Sequence, residues 1–165
     1  MVETGIGVIV AMVVLGVYSI IKDLSSKMNK EEKYKICIKK SISDSGLPLI
    51  RLMLNGKAEW FLLDTGANSN YLQTSVYDSM ENRPDPIGYA TTNSATTEVT
   101  AEVVMLSLGY KDLLFVNEPF SVMEVGTLNS DFKGRKVIGI IGSPFFEKHE
   151  WSFDFEELVV RVNAN

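Results

Sequence analysis

The residues from Phe61 to Asn70 read FLLDTGANSN: an apolar run ending in Asp64, then a small hydroxyl residue, Thr65, then Gly66. Aspartate is a poor strand former and is rarely buried without a partner. A carboxylate aimed out of an apolar strand is placed there for chemistry or for a turn. The rest of the chain narrows the chemistry. His149 is the only histidine, which excludes a metal cluster with two histidines, and Cys37 is the only cysteine. No G-x-S-x-G elbow, phosphate-binding loop or dinucleotide fingerprint occurs. A Cys37–His149 dyad would draw its nucleophile from between Ile36 and Ile38, in an apparent strand that predicts a half-buried structural cysteine instead. No cofactor and no metal is expected.

Carboxylate chemistry remains. Two carboxylates about 3 Å apart cannot both ionise easily, so they share a proton and can hold a water between them. One then acts as base on that water while the other donates to the carbonyl of a peptide bond. The backbone beneath must turn sharply, which suits Gly66, and a short hydroxyl must hold the loop, which suits Thr65. The plainer alternative is a β-turn in which Asp64 bonds its own backbone. Asp112 and Asp154 could be nominated as the partner carboxylate, but neither is followed by a hydroxyl residue and glycine.

The elements that must position Asp64 read mostly as β. Short apolar or alternating runs lie between turn signals: YKICI, LPLIRLMLNG, AEWFLLD, TEVTAEVVMLSLG, DLLFVNEPFSVMEV, RKVIGIIG and WSFDFEELVVRV. Asn55-Gly56, between two of them, is a type I′ hairpin signal. Two stretches read as helical. One is SNYLQTSVYDSM; the other opens at Ser143-Pro144, with serine as cap and proline in the first helical position. There is no internal repeat or low-complexity tract.

Asp64-Thr65-Gly66-Ala67, entered by FLL, resembles the active-site loop of the retropepsin-like aspartic proteases. A lone D-T-G is common, but VIGIIGSPFFEKHEWSFDF resembles the family's later motif: Ile140-Ile141-Gly142, then a short helix from Pro144 to Lys148. A candidate flap hairpin, GYATTNSATTEV from Gly88 to Val99, lies between them. The resemblance spans about residues 35–163. It implies an all-β closed barrel, half of an acid-protease fold, with one short helix. It also implies that Asp64 is catalytic and that Thr65, Gly66 and Ala67 form its loop. Asn68, the flap residues Gly88, Tyr89 and Ala90, and Ile141 with Gly142 would then line the substrate site. Many viral relatives carry an acidic residue where this chain has Asn68. Residues 111–136 make the domain longer than a minimal viral protease and carry no motif of their own.

The chain holds one Asp-Thr-Gly, whereas the chemistry needs two carboxylates. The family's solution is a C2 homodimer, with one Asp64 from each copy at the axis. The resemblance implies that paired Thr65 residues brace the two loops and that chain termini help build the dimer sheet. Protein or peptide is the expected substrate. A catalytically silent peptide-binding module on the same fold is the alternative.

Gly5 to Ile21 carries no charge and spans about 25 Å as a helix, close to a bilayer core of about 30 Å. A cleaved signal peptide would want a basic residue before the run and a small-x-small site after it, and neither is present; a buried core helix is the third possibility. Seven lysines against three acids follow in residues 22–40. The positive-inside rule then predicts a single-pass anchor with the C-terminal domain in the cytoplasm. The expected organisation is an anchor over 1–22, a polar linker over 23–34 and a protease domain over 35–165. The 165 residues carry a net charge of −5, which gives no sign of nucleic-acid binding. The unpairable cysteine suits a reducing compartment.

Overall fold

Alternation decides the first long hairpin. In LIRLML, Ile50, Leu52 and Leu54 turn inward while Arg51 and Met53 face out, giving β2 (Leu49–Leu54). Asn55 and Gly56 take positive φ of 50° and 76°, the type I′ geometry that returns the chain into β3 (Lys57–Asp64) with Leu54 opposite Lys57. The computed structural model describes residues 18–25, 34–94, 97–129 and 132–162. The chain divides after Lys35 into two units.

Of the first unit, residues 18–25 form a short helix, α1, whose apolar side chains are exposed. Most of the Gly5–Ile21 run lies outside the described residues. Among the described residues, no helix is long and apolar enough to cross a membrane.

The second unit is mostly β, with a few short helices. Its strands in order are β1 (Lys35–Cys37), β2, β3, β4 (Asn70–Leu72), β5 (Gly88–Ser94), β6 (Thr97–Tyr110), β7 (Leu113–Val122), β8 (Val137–Gly142), β9 (Ser152–Asp154) and β10 (Val159–Arg161). The large sheet runs β2-β3-β8-β4-β7-β6-β5, and β2 also pairs with β6. That extra pairing closes six strands into a barrel, with β5 left outside as one arm of a hairpin. The β3–β8 and β4–β7 pairs are parallel. A second sheet has the order β1-β10-β9. Phe61, Leu72, Val104, Leu108, Phe120 and Ile141 fill the interior, each fully buried side chain stabilising the fold by about 1.5–3 kcal/mol.

The resemblance implies one short helix and the residues read as two helical stretches; this unit has three helices, α2 (Lys39–Ser45), α3 (Thr74–Asp78) and α4 (Ser143–Lys148), with a 3-10 turn at Gly126–Asn129. No side-chain cap announces α2. Packing makes it: buried Ser41 donates to the Ile38 carbonyl at 2.9 Å and accepts from the Leu49 N–H at 3.1 Å. Gly46, at φ 73°, closes the helix. The stretch expected as one helix, SNYLQTSVYDSM, instead splits into β4 and α3. Asn70–Leu72 lies between β7 and β8 and pairs with both, and those ladders override local helical preference. Ser143 is the first residue of α4 rather than its cap: Gly142 holds the N-cap position, and the Ser143 hydroxyl donates instead to the Ala67 carbonyl at 3.0 Å; Pro144 sits in the first turn, and the helix buries Phe145 and Phe146 against Trp151. Cys37 is exposed, not half-buried, because it sits on the outward face of β1.

Two carboxylates, Asp44 and Glu118, are held by basic side chains from distant parts of the chain. Arg135 donates to Asp44 at 2.6 Å, and its guanidinium holds that carboxyl below the usual carboxylate range. Glu118, buried at 1% exposure, takes Lys148 at 2.8 Å and His149 at 2.9 Å.

Candidate active site

Strand β3 carries Asp64 to its end, and β8 carries Gly142 to its own. The strands run parallel with Leu63 opposite Ile141 and Asp64 opposite Gly142, so the two sequence motifs finish side by side. The glycines of VIGIIG have a steric reason. A Cβ on Gly139 would collide with the Tyr71 carbonyl, and a Cβ on Gly142 with the Ser69 and Ala67 carbonyls. β8 therefore threads between β3 and the chain entering β4 only because both positions lack side chains.

The loop after Asp64 is fixed by its own bonds. The Gly66 N–H donates to Asp64 Oδ1 at 2.9 Å, and the Ala67 N–H donates to the Asp64 carbonyl at 3.1 Å. The Asp-turn bond of the plainer reading is thus present within the loop that the chemical reading requires. The Ala67 carbonyl accepts from both the N–H and Oγ of Ser143, at 2.9 and 3.0 Å. This ties the loop to the start of α4. Buried Asn70 adds a second tie: its Oδ1 accepts from the Gly142 N–H at 2.9 Å, and its Nδ2 donates to the Pro119 carbonyl at 3.0 Å. Sequence reading missed Asn70 and took Ser143 only as a helix cap. The signal available was a small polar residue within a few positions of each motif, which is weak by itself.

The expected site residues divide into two groups. Asp64 is half-buried, Thr65 and Gly66 are exposed, and Ala67 is half-buried. Asn68 is exposed, and its Oδ1 accepts from the Tyr71 hydroxyl at 2.7 Å. Gly142 adjoins this loop. Ile141 is fully buried, so its side chain belongs to the core while its backbone sets the register. Gly88, Tyr89 and Ala90 open β5, opposite Val103, Glu102 and Ala101 of β6. They stand on the arm expected as a flap, whose tip at residues 95–96 lies outside the described residues. Asp154 ends β9 and anchors the turn that follows it. Its Oδ1 accepts from the N–H groups of Glu157 and Glu156, and the first of these bonds, with Arg161, holds its carboxyl below the ordinary value. A cavity of about 540 Å³ lies elsewhere, between the Asn55-Gly56 turn and the chain after α3, and no expected site residue lines it.

The closed barrel brings its two inner motifs together at the Asp-Thr-Gly loop. A family model described as aspartyl protease matches residues 50–145, more than half of the chain, and the chain belongs to that family. Among solved structures, it is similar to a retropepsin-like aspartic protease from Rickettsia conorii. The TM-score is 0.53 at 20% identity, over 78% of this chain and 88% of that one. That likeness concerns the fold. No curated protein matches the chain.

Proposed function

We propose that the protein is an aspartic endopeptidase active as a homodimer, with Asp64 of each copy sharing one proton and activating one water. The observation that carries this is the β3–β8 pairing, which sets Asp64 beside Gly142 on a braced, solvent-facing loop. One copy offers one such carboxylate, and a second copy related by a two-fold axis supplies the other. The charged member takes a proton from water, the neutral member donates to the scissile carbonyl, and the amine leaves with a proton returned from the pair. In this proposal Thr65, exposed on that loop, braces the partner loop.

Residues 5–21 anchor the chain in a membrane in this proposal, with the barrel on the cytoplasmic side. Support comes from the uncharged run and the lysines behind it. The exposed Tyr18, Ile20, Ile21 and Leu24 of α1 also suit a lipid surrounding better than water. Holding both copies in one membrane raises their effective concentration.

The test is Asp64→Asn in the full chain, assayed on a peptide library. Hydrolysis should fall by about 10³-fold or more with the fold retained by circular dichroism. Full activity in the variant would falsify the assignment. Sedimentation across a dilution series should show activity following the dimer, and protease added outside intact cells should leave the barrel uncut. If the wild-type chain binds peptides from the library but hydrolyses none, the silent binding module is the correct reading.

A further inference from the structure

Glu118 lies in residues 111–136, the stretch without a sequence motif, and it is buried. Its inward aim comes from a bulge. Leu106 of β6 stands opposite Glu118 and Leu108 opposite Phe115, so β7 takes three steps where β6 takes two. Asn117, at φ 55°, sits within the extra step. Val116 and Asn117 are both exposed as a result, while Phe115 and Glu118 are both buried. Plain alternation from Phe115 would send position 118 outward.

A buried carboxylate is a poor device for stability, since an apolar side chain of similar volume is often as stable in its place. A hydrogen-bonded carboxylate does fix direction, and the bonds here lead to the Asp64 loop. Glu118 Oε1 accepts from Lys148 Nζ at 2.8 Å and from His149 Nε2 at 2.9 Å. Both donors stand at the end of α4. At its start, the Ser143 N–H and Oγ hold the Ala67 carbonyl, and the Gly142 N–H donates to Asn70 Oδ1. Asn70 Nδ2 donates in turn to the carbonyl of Pro119, the residue after Glu118. The links close into a ring: Glu118, His149, α4, Gly142, Asn70, Pro119 and back to Glu118. Helix α4 has six residues, so it is only about 9 Å long and moves as one piece.

The two donors differ. Lys148 is half-exposed, and its flexible stem can follow a carboxylate that moves. The His149 ring is wedged between Phe115 and Phe145, with centroids 4.7 and 4.6 Å away. It has one place to stand, so the direction of its bond to Glu118 is passed on to the helix.

We propose that Glu118 and His149 are positioning residues for the reaction: their hydrogen bond sets the tilt of α4 and, through Ser143 and Ala67, the place of the Asp64 carboxylate. This role rests on the protease reading, and neither side chain touches substrate.

The experiment separates the bond from the packing at position 149 of the full chain. His149→Phe keeps an aromatic ring against Phe115 and Phe145 but has no donor; His149→Gln keeps an N–H donor but loses the ring contacts. On a peptide, kcat should fall about tenfold in His149→Phe with KM changed by less than about twofold, because a small displacement of a reacting group is felt in kcat. His149→Gln should keep kcat within about threefold although its urea midpoint is the lower of the two. Amide hydrogen exchange at Gly142 and Ser143 should quicken about tenfold in His149→Phe and not in His149→Gln. For a wild type that cleaves, unchanged kcat in His149→Phe, unchanged exchange at Gly142 and Ser143, or kcat that follows the urea midpoint across the two variants overturns this assignment alone. If His149→Phe does not fold, Glu118→Leu with Lys148→Met and His149→Phe takes its place. Wild-type kcat in that triple variant overturns the assignment, and kcat lowered about tenfold at a near-wild-type midpoint supports it. A wild type that cleaves no peptide overturns the protease reading and the positioning role with it.

Discussion

Gly142→Ala isolates the contact on which the site depends. Gly142 has φ −96° and ψ 178°, an extended conformation open to alanine, so backbone preference does not oppose the change. Space does. The new Cβ would lie 2.8 Å from the Ala67 carbonyl oxygen and closer still to that of Ser69. A relaxed carbon–oxygen contact is about 3.3–3.6 Å, so the loop must retreat by roughly half an ångström to one ångström. It cannot retreat freely, because the Ala67 carbonyl holds two bonds from Ser143. Overpacking of this kind costs about 1–3 kcal/mol. A displacement of about 1 Å in the loop that carries Asp64 costs about 100-fold in rate. Urea denaturation should show a lower midpoint at unchanged slope, and kcat/KM on a peptide should fall about 100-fold. Gly88→Ala serves as the stability control, since nothing lies within 4 Å of its Cβ position and its change should stay within about 0.5 kcal/mol. Equal midpoints and equal rates for wild type and Gly142→Ala would refute the steric account of the second motif.

Asn70→Ala should destabilise by about 1–3 kcal/mol, because the Gly142 N–H loses its partner in a buried position; a change below about 0.5 kcal/mol in a denaturant titration would contradict that. Lys148→Met with His149→Phe strips both partners from buried Glu118 and should cost about 3–5 kcal/mol, most of it recovered when Glu118→Leu is added. A triple variant no more stable than the double would refute the buried-charge argument. Arg135 holds the Asp44 carboxyl below its ordinary value of 3.8, first through its hydrogen bond. That stabilisation is complete above 3.8 and is lost as pH falls through the lower folded-state value. Wild type and Arg135→Gln should therefore converge in stability on acidification below about pH 4, and a stability gap that stays constant from about pH 6 to about pH 3 would count against the pairing.

The sequence by itself determined what is local. The apolar approach to Asp64, the Asn55-Gly56 turn and the helix start at Pro144 are each set by neighbours in the chain, where alternation, positive φ and an early proline leave readable marks. The family and its half-barrel were legible because two such local motifs recur in order. Tertiary structure alone decided how they meet. The parallel β3–β8 pairing joins residues almost eighty apart and makes Gly139 and Gly142 obligatory; in sequence Gly142 is part of a motif, but the carbonyls that require both glycines are not visible there. β4 is a strand because β7 and β8 flank it, although its residues read as helix. Nothing in the order of residues shows that Glu118 is buried against Lys148 and His149, or that Asn70 ties Gly142 to Pro119. Those positions are defined by long-range contacts, and a single buried polar side chain carries no periodic signal before its partners arrive.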